Sequence, residues 1–161
     1  MTVITVTAPK GRIGEEARNQ LSVSLTDAVL VPEIGHHVAA ARIGFQVHFV
    51  ELEASHMAIG GQLLSDIDAD ILVVDVAVMD GDWRNEVRAQ VIDRLFAALA
   101  SAFEMEEPSP TWWINFRIIE EGSWGSRGGV LSILDLLATG VFADEKVRAI
   151  RAAITGKVQA L

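Results

Sequence analysis

The side chains of this sequence that can do chemistry are a few proton carriers and a few cations. Thr2 would present a free α-amine once Met1 is removed. An α-amine titrates near ~8 in an open peptide, and burial lowers that value by penalising the charged form. A primary amine can also form a Schiff base with a carbonyl. The plain alternative is that Thr2 simply begins an edge of a sheet. His48, in "FQVHFVELE", is the second proton carrier, and strand alternation points it the same way as Gln46. Imidazole changes charge near ~6.5; the alternative is a histidine satisfied at an interface. Gln46 can hydrogen-bond a carboxylate or a carbonyl, or make an inter-strand contact, and brings no charge.

Among the cations, Arg12 in "PKGRIG" stands just before a helix. The first N–H groups of a helix already favour negative charge, so Arg12 is an anion ligand or a solvated turn arginine. Arg117 lies beside Asn115, on the opposite strand face from Phe116. It reaches a site between repeats or pairs with an acid. Arg127 interrupts a glycine turn, where an anion or solvent can meet it. His36 and His37 are adjacent but have no carboxylate at a matching spacing, so no metal site and no cofactor are expected. Glu51, Glu120 and Glu121 stand at strand ends, as structural or surface groups.

The elements that position these residues follow from periodicity. "TVITVTA" alternates and is rich in β-branched residues, so it predicts a strand. Ala17, Leu21, Leu25, Ala28 and Val29 recur at helical spacing, predicting a helix from Glu15 to Leu30 that "VPEIG" ends. "FQVHFVELE" is the next strand. Then the order begins again. "ILVVDVAV" is a strand, and Val87, Val91, Leu95 and Leu99, widened by Phe96 and Phe103, mark a helix that "EEPSP" breaks. "TWWINFRIIEE" is a strand. "GGVLSILDLL" predicts a short strand or turn and then a helix whose apolar residues serve subunit contacts. Val147, Ile150, Ile154 and Val158 mark a C-terminal helix.

Glycine turns close both halves: "SHMAIGG" and "GSWGSRGG" each carry one large side chain before a Gly-Gly pair. The fold expected is α/β: two tandem βαβ repeats forming a four-stranded sheet with helices on one face, plus a C-terminal helix. One domain, residues 1–161, is expected, with repeats at about 2–66 and 69–140 and the helix at about 143–160. The bare sheet face then calls for other subunits.

Composition bounds the function. Half of the 161 residues are hydrophobic, enough for a real core. The net charge of −9 argues against a nucleic-acid surface but leaves room for local arginines to hold a small anion. There are no cysteines, which removes disulfides and thiolate metal sites. No apolar run reaches the length of a membrane span, and no signal peptide is visible. A cytoplasmic protein is expected.

The strand starting at residue 2, the "KGR" turn, "SHMAIGG" and "GSWGSRGG", in that order and spacing, resemble the tautomerase superfamily. That group includes 4-oxalocrotonate tautomerase, malonate semialdehyde decarboxylase and cis-3-chloroacrylic acid dehalogenase. The resemblance covers residues 2–140 or so and implies a fused pair of short members, assembled as a homotrimer. It also implies an N-terminal proline amine that moves protons on enols and α-keto acids, arginines that hold the substrate carboxylate, and an aromatic pocket wall. Here Thr2 stands where the proline would be, and Arg12 matches the turn arginine. Gln46 falls at the strand arginine and Met57 at the pocket aromatic. In the second repeat Asp82 replaces the turn arginine, Trp113 takes the strand position and Trp124 keeps the wall. Val29 stands where the dehalogenase branch has a histidine, so that chemistry is not expected. The expected function is an isomerase moving a proton on a small enol or keto acid. Thr2 or His48 would carry the proton, and Arg12, Gln46, Met57, Trp113, Asn115, Arg117 and Trp124 would bind substrate. The alternative is a catalytically silent member that binds a small ligand or serves as a trimeric scaffold.

Overall fold

Alternating burial makes the first strand. In a computed structural model describing residues 1–158, β1 (Thr2–Pro9) buries Thr2, Ile4, Val6 and Ala8 on one side and leaves Val3, Thr5 and Thr7 on the other. Helix α1 (Glu15–Ile34) starts with Glu15 and Glu16, whose charges suit the positive end of the helix dipole. It buries Leu21, Leu25, Ala28 and Val29, four of the five residues expected on that face; Ala17 is half-buried.

The helix does not stop at Leu30. It runs one more turn, through Pro32 and Glu33, to Gly35, which caps it at φ 92° with its N–H donated to the Val31 carbonyl at 2.9 Å. Proline forfeits one helical hydrogen bond. Here Leu30 and Ile34 are both buried in the added turn, and the left-handed glycine gives the helix a proper end.

A 3₁₀ segment (Ala39–Gly44) leads into β2 (Phe45–Leu52), which lies parallel to β1 with Thr2 opposite Phe45. A hairpin of β3 (Ala58–Ile59) and β4 (Gln62–Leu63) follows. The second unit repeats the plan with β5 (Leu72–Met79), α2 (Asn85–Ala102) and β6 (Trp112–Ile119). Strands β5 and β6 are parallel, and β1 and β5 meet antiparallel, giving one sheet in the order β2-β1-β5-β6. Helices α1 and α2 cover one face, and the core lies between them and the sheet, with Val91, Leu95 and Leu99 of α2 fully buried against Val74, Val76 and Val78.

The second hairpin, β7 (Gly125–Ser126) and β8 (Gly129–Val130), corresponds to the first. Leu64 N–H reaches the Met57 carbonyl at 3.0 Å, and Leu131 N–H reaches the Trp124 carbonyl at 2.9 Å. Met57 and Trp124 are therefore equivalent positions. The equivalent turn pairs are Gly60–Gly61 and Arg127–Gly128, all four at positive φ, as a two-residue hairpin turn of this twist requires. The Gly-Gly match suggested by the sequence is thus off by one in the second repeat: Gly129 is already strand, and Arg127 takes the left-handed place of Gly60.

Two helices finish the chain, α3 (Ile133–Leu137) and α4 (Asp144–Val158). Leu131, Ile133 and Leu137 are buried within the chain, together with Leu30, Ile34, Met79, Phe142 and Ile150. They were expected at subunit contacts; instead they build a second core over the ends of α1 and β5. Residues 159 and 160 of the expected helix lie outside the described residues. Among those described, no helix is long and apolar enough to cross a membrane.

Candidate functional site

The second core is not filled to its edge. Between the start of β1, the last turn of α1, the 3₁₀ segment and α3 lies a cavity of about 340 Å³. Met1, Glu33 and Ile34 line it, with Ala41, Phe45, Leu136 and Phe142 among its apolar walls. Arg127 reaches its lining from the second hairpin turn. Arg127 holds φ 54°, where a side chain is strained, and among the described residues it pairs with no carboxylate.

Glu33 is the unusual group. It is only 7% exposed, in surroundings that are largely apolar. The Thr2 hydroxyl donates to Glu33 Oε2 at 3.3 Å, and the Met1 amine lies 3.9 Å from Oε1. Burial pushes the Glu33 carboxyl above the usual carboxylate range. The Met1 amine, the Thr2 hydrogen bond and the Lys146 charge oppose this without reversing it. Lys146, from α4, is itself bonded to buried Asp82 at 3.1 Å, and Arg84 Nε holds the same carboxylate at 2.7 Å. The sequence reading ends this helix at Leu30, with "VPEIG" as its stop, and so leaves Glu33 outside it. Gly35 was the better stop signal. With the helix ended there, Glu33 falls on the last turn, facing the start of β1.

The other expected site residues fall elsewhere. Arg12 already holds a carboxylate: Nε and Nη2 bind Asp70 Oδ1 and Oδ2 at 2.7 and 2.9 Å. Its guanidinium lies 4.0 Å from the Phe103 ring centre, and Trp112 Nε1 donates to Asp70 at 3.0 Å. The hydrogen bonds from Arg12 hold the Asp70 carboxyl below its usual range, despite partial burial. This bidentate pair ties the β1–α1 turn to the second repeat. Met57 is packed with Leu64 and Ile71 under the first hairpin.

Gln46, His48, Trp113, Asn115 and Arg117 all lie exposed on the sheet face opposite the helices. There Gln46 Oε1 and His48 Nε2 are 3.1 Å apart, and Asn115 Nδ2 donates to Asp75 at 3.0 Å. Thr5, Asp75, Arg117 and Trp124 surround a separate depression of about 300 Å³. The structure so brings Arg117 and Trp124 together, places Thr2 against Glu33 beside the cavity, and leaves His48 outside the cavity lining. His37 stands 3.7 Å from Asp27, which Arg42 already holds through two hydrogen bonds.

No family model matches this chain, and no curated protein matches it in sequence. Solved structures do resemble it. A fused 4-OT described as a symmetric trimer aligns with a TM-score of 0.65 at 22% identity, over 82% of this chain and 96% of that one. A member of the cis-3-chloroacrylic acid dehalogenase family gives 0.68 at 18% identity, over 85% of this chain and 91% of its own. A third structure, of a protein inactivated by 2-oxo-3-pentynoate, gives 0.58 at 24% identity, over 83% and 98%. The chain has the tautomerase-like fold in its fused, two-repeat form.

Proposed function

We propose that this protein moves a proton on a small enol or keto acid, inside the cavity at the start of β1. The observation that carries this reading is the convergence of three features in one apolar space. The first strand begins there, a buried glutamate is among its lining residues, and an arginine that pairs with no carboxylate among the described residues reaches its lining. Apolar walls lower the local dielectric and so strengthen a charge interaction with a bound acid. Arg127 offers the substrate carboxylate a planar, two-pronged partner. Arg12 has no such role in this reading, because Asp70 fills its fork. The keto acid that inactivated a structurally similar protein fits the same substrate class. The fused 4-OT in the comparison is a trimer, and we carry that assembly to this chain as a homotrimer.

A catalytically silent ligand binder is the competing reading, favoured by one observation: Met1 itself lines the cavity. Ketonisation of phenylenolpyruvate by untagged protein decides between them, with intact mass recording whether Met1 is present and the Thr2→Pro variant run alongside. Turnover above the buffer rate by the native protein is the expected result. Turnover in Thr2→Pro alone would mean a sound cavity without its own proton carrier. No turnover in either removes the isomerase reading.

A further inference from the structure

We propose that the side chain moving the proton in this cavity is the carboxyl of Glu33, so that the fold needs no terminal proline. This rests on the isomerase reading of the cavity. Glu33 combines what a proton carrier requires: contact with the cavity, exclusion from bulk water, and fixed partners. The Thr2 hydroxyl at 3.3 Å orients one carboxyl oxygen. Two charged groups act on it, the Met1 amine at the start of β1 and Lys146 of α4; Arg127 is a further cation on the cavity lining. Arg42, on the neighbouring 3₁₀ segment, is held by Asp27 instead. Lys146 is shared with Asp82, which weakens its pull on Glu33. Burial therefore prevails and keeps Glu33 protonated further toward neutral pH than an ordinary glutamate.

The step balances within the cavity. The enol C=C pair takes a proton from one Glu33 oxygen and becomes the new C–H bond. The enol carbon–oxygen bond becomes a carbonyl as its hydroxyl proton leaves. That proton returns to the second Glu33 oxygen, so the carboxyl ends as it began. Arg127 holds the substrate carboxylate throughout, and no oxidant or cofactor enters.

The test is phenylenolpyruvate ketonisation across pH by wild type, Glu33→Gln and Glu33→Asp, with circular dichroism confirming the fold. The protonated form is active, so the wild-type rate falls as pH rises through the raised Glu33 pKa. Glu33→Gln is expected to lose about 100-fold in kcat and to lose that limb, with KM little changed, while Glu33→Asp recovers part of the rate. Turnover by Glu33→Gln within a few-fold of wild type, with the limb intact, overturns the role of Glu33 and leaves the isomerase reading standing. No turnover by wild type overturns both. If Glu33→Gln fails to fold, Thr2→Val decides. Losing the hydroxyl that supports the charged carboxylate moves the limb to higher pH, and an unmoved limb overturns the proposal.

Discussion

Arg127 is strained for a reason that can be separated from its surroundings. Its backbone sits at φ 54°, in a turn whose counterpart in the first repeat is glycine. A side chain in the left-handed region costs on the order of 1 kcal/mol, which glycine does not incur. Arg127→Gly should therefore raise stability by up to about 1 kcal/mol in urea unfolding. If Arg127 holds the substrate carboxylate, the same change raises KM about tenfold, the loss of one exposed charge-assisted contact. Greater stability with unchanged KM would leave the arginine as a turn residue only. Arg12 shows the converse case. Its sequence context, just before a helix, suited an anion ligand, and it does bind a carboxylate. That carboxylate is Asp70, within the chain, and nothing local to the "KGR" turn names so distant a partner.

The last turn of α1 positions Glu33, and Gly35 sets where that turn ends. A methyl group at Gly35 would meet Ala143 Cβ at 2.8 Å and Lys146 Cγ at 3.2 Å, and φ 92° excludes it independently. Gly35→Ala should cost about 2–4 kcal/mol, the sum of left-handed strain and overpacking against α4. Chemical denaturation measures this, and a loss below about 0.5 kcal/mol would show that neither the left-handed backbone nor the contact with α4 constrains this position. The helices and strands of both repeats were legible from periodicity, since each has one apolar face. The end of α1 was not, because proline and glycine gave competing stop signals three residues apart. Long-range packing of Leu30 and Ile34 decided between them.

At the scale of the whole molecule, the open sheet face carries Thr5, Gln46, His48, Asp75, Asn115 and Arg117. The same face carries Trp113 and the half-buried Val3, Val73 and Ala77, so it mixes polar and apolar side chains that a covering subunit would take from solvent. We expect light scattering to report three times the chain mass. A monomer at micromolar concentration would instead leave that face, with its Trp113 58% exposed, open to solvent.

By itself, the sequence determined the doubled βαβ plan, the strand faces and the presence of a turn after each repeat, though not the exact turn residues of the second. These are local properties: period, branching and turn chemistry report which side of an element is apolar and where the chain reverses. Only the tertiary structure decided what stands opposite each side chain. It gave Arg12 to Asp70, set the shared face of His48 and Gln46 outside the cavity, buried Leu131, Ile133 and Leu137 inside the chain, and brought Glu33 to Thr2. Ion pairing and burial join residues far apart in the chain, and their strength depends on the exclusion of water by segments that no local pattern specifies.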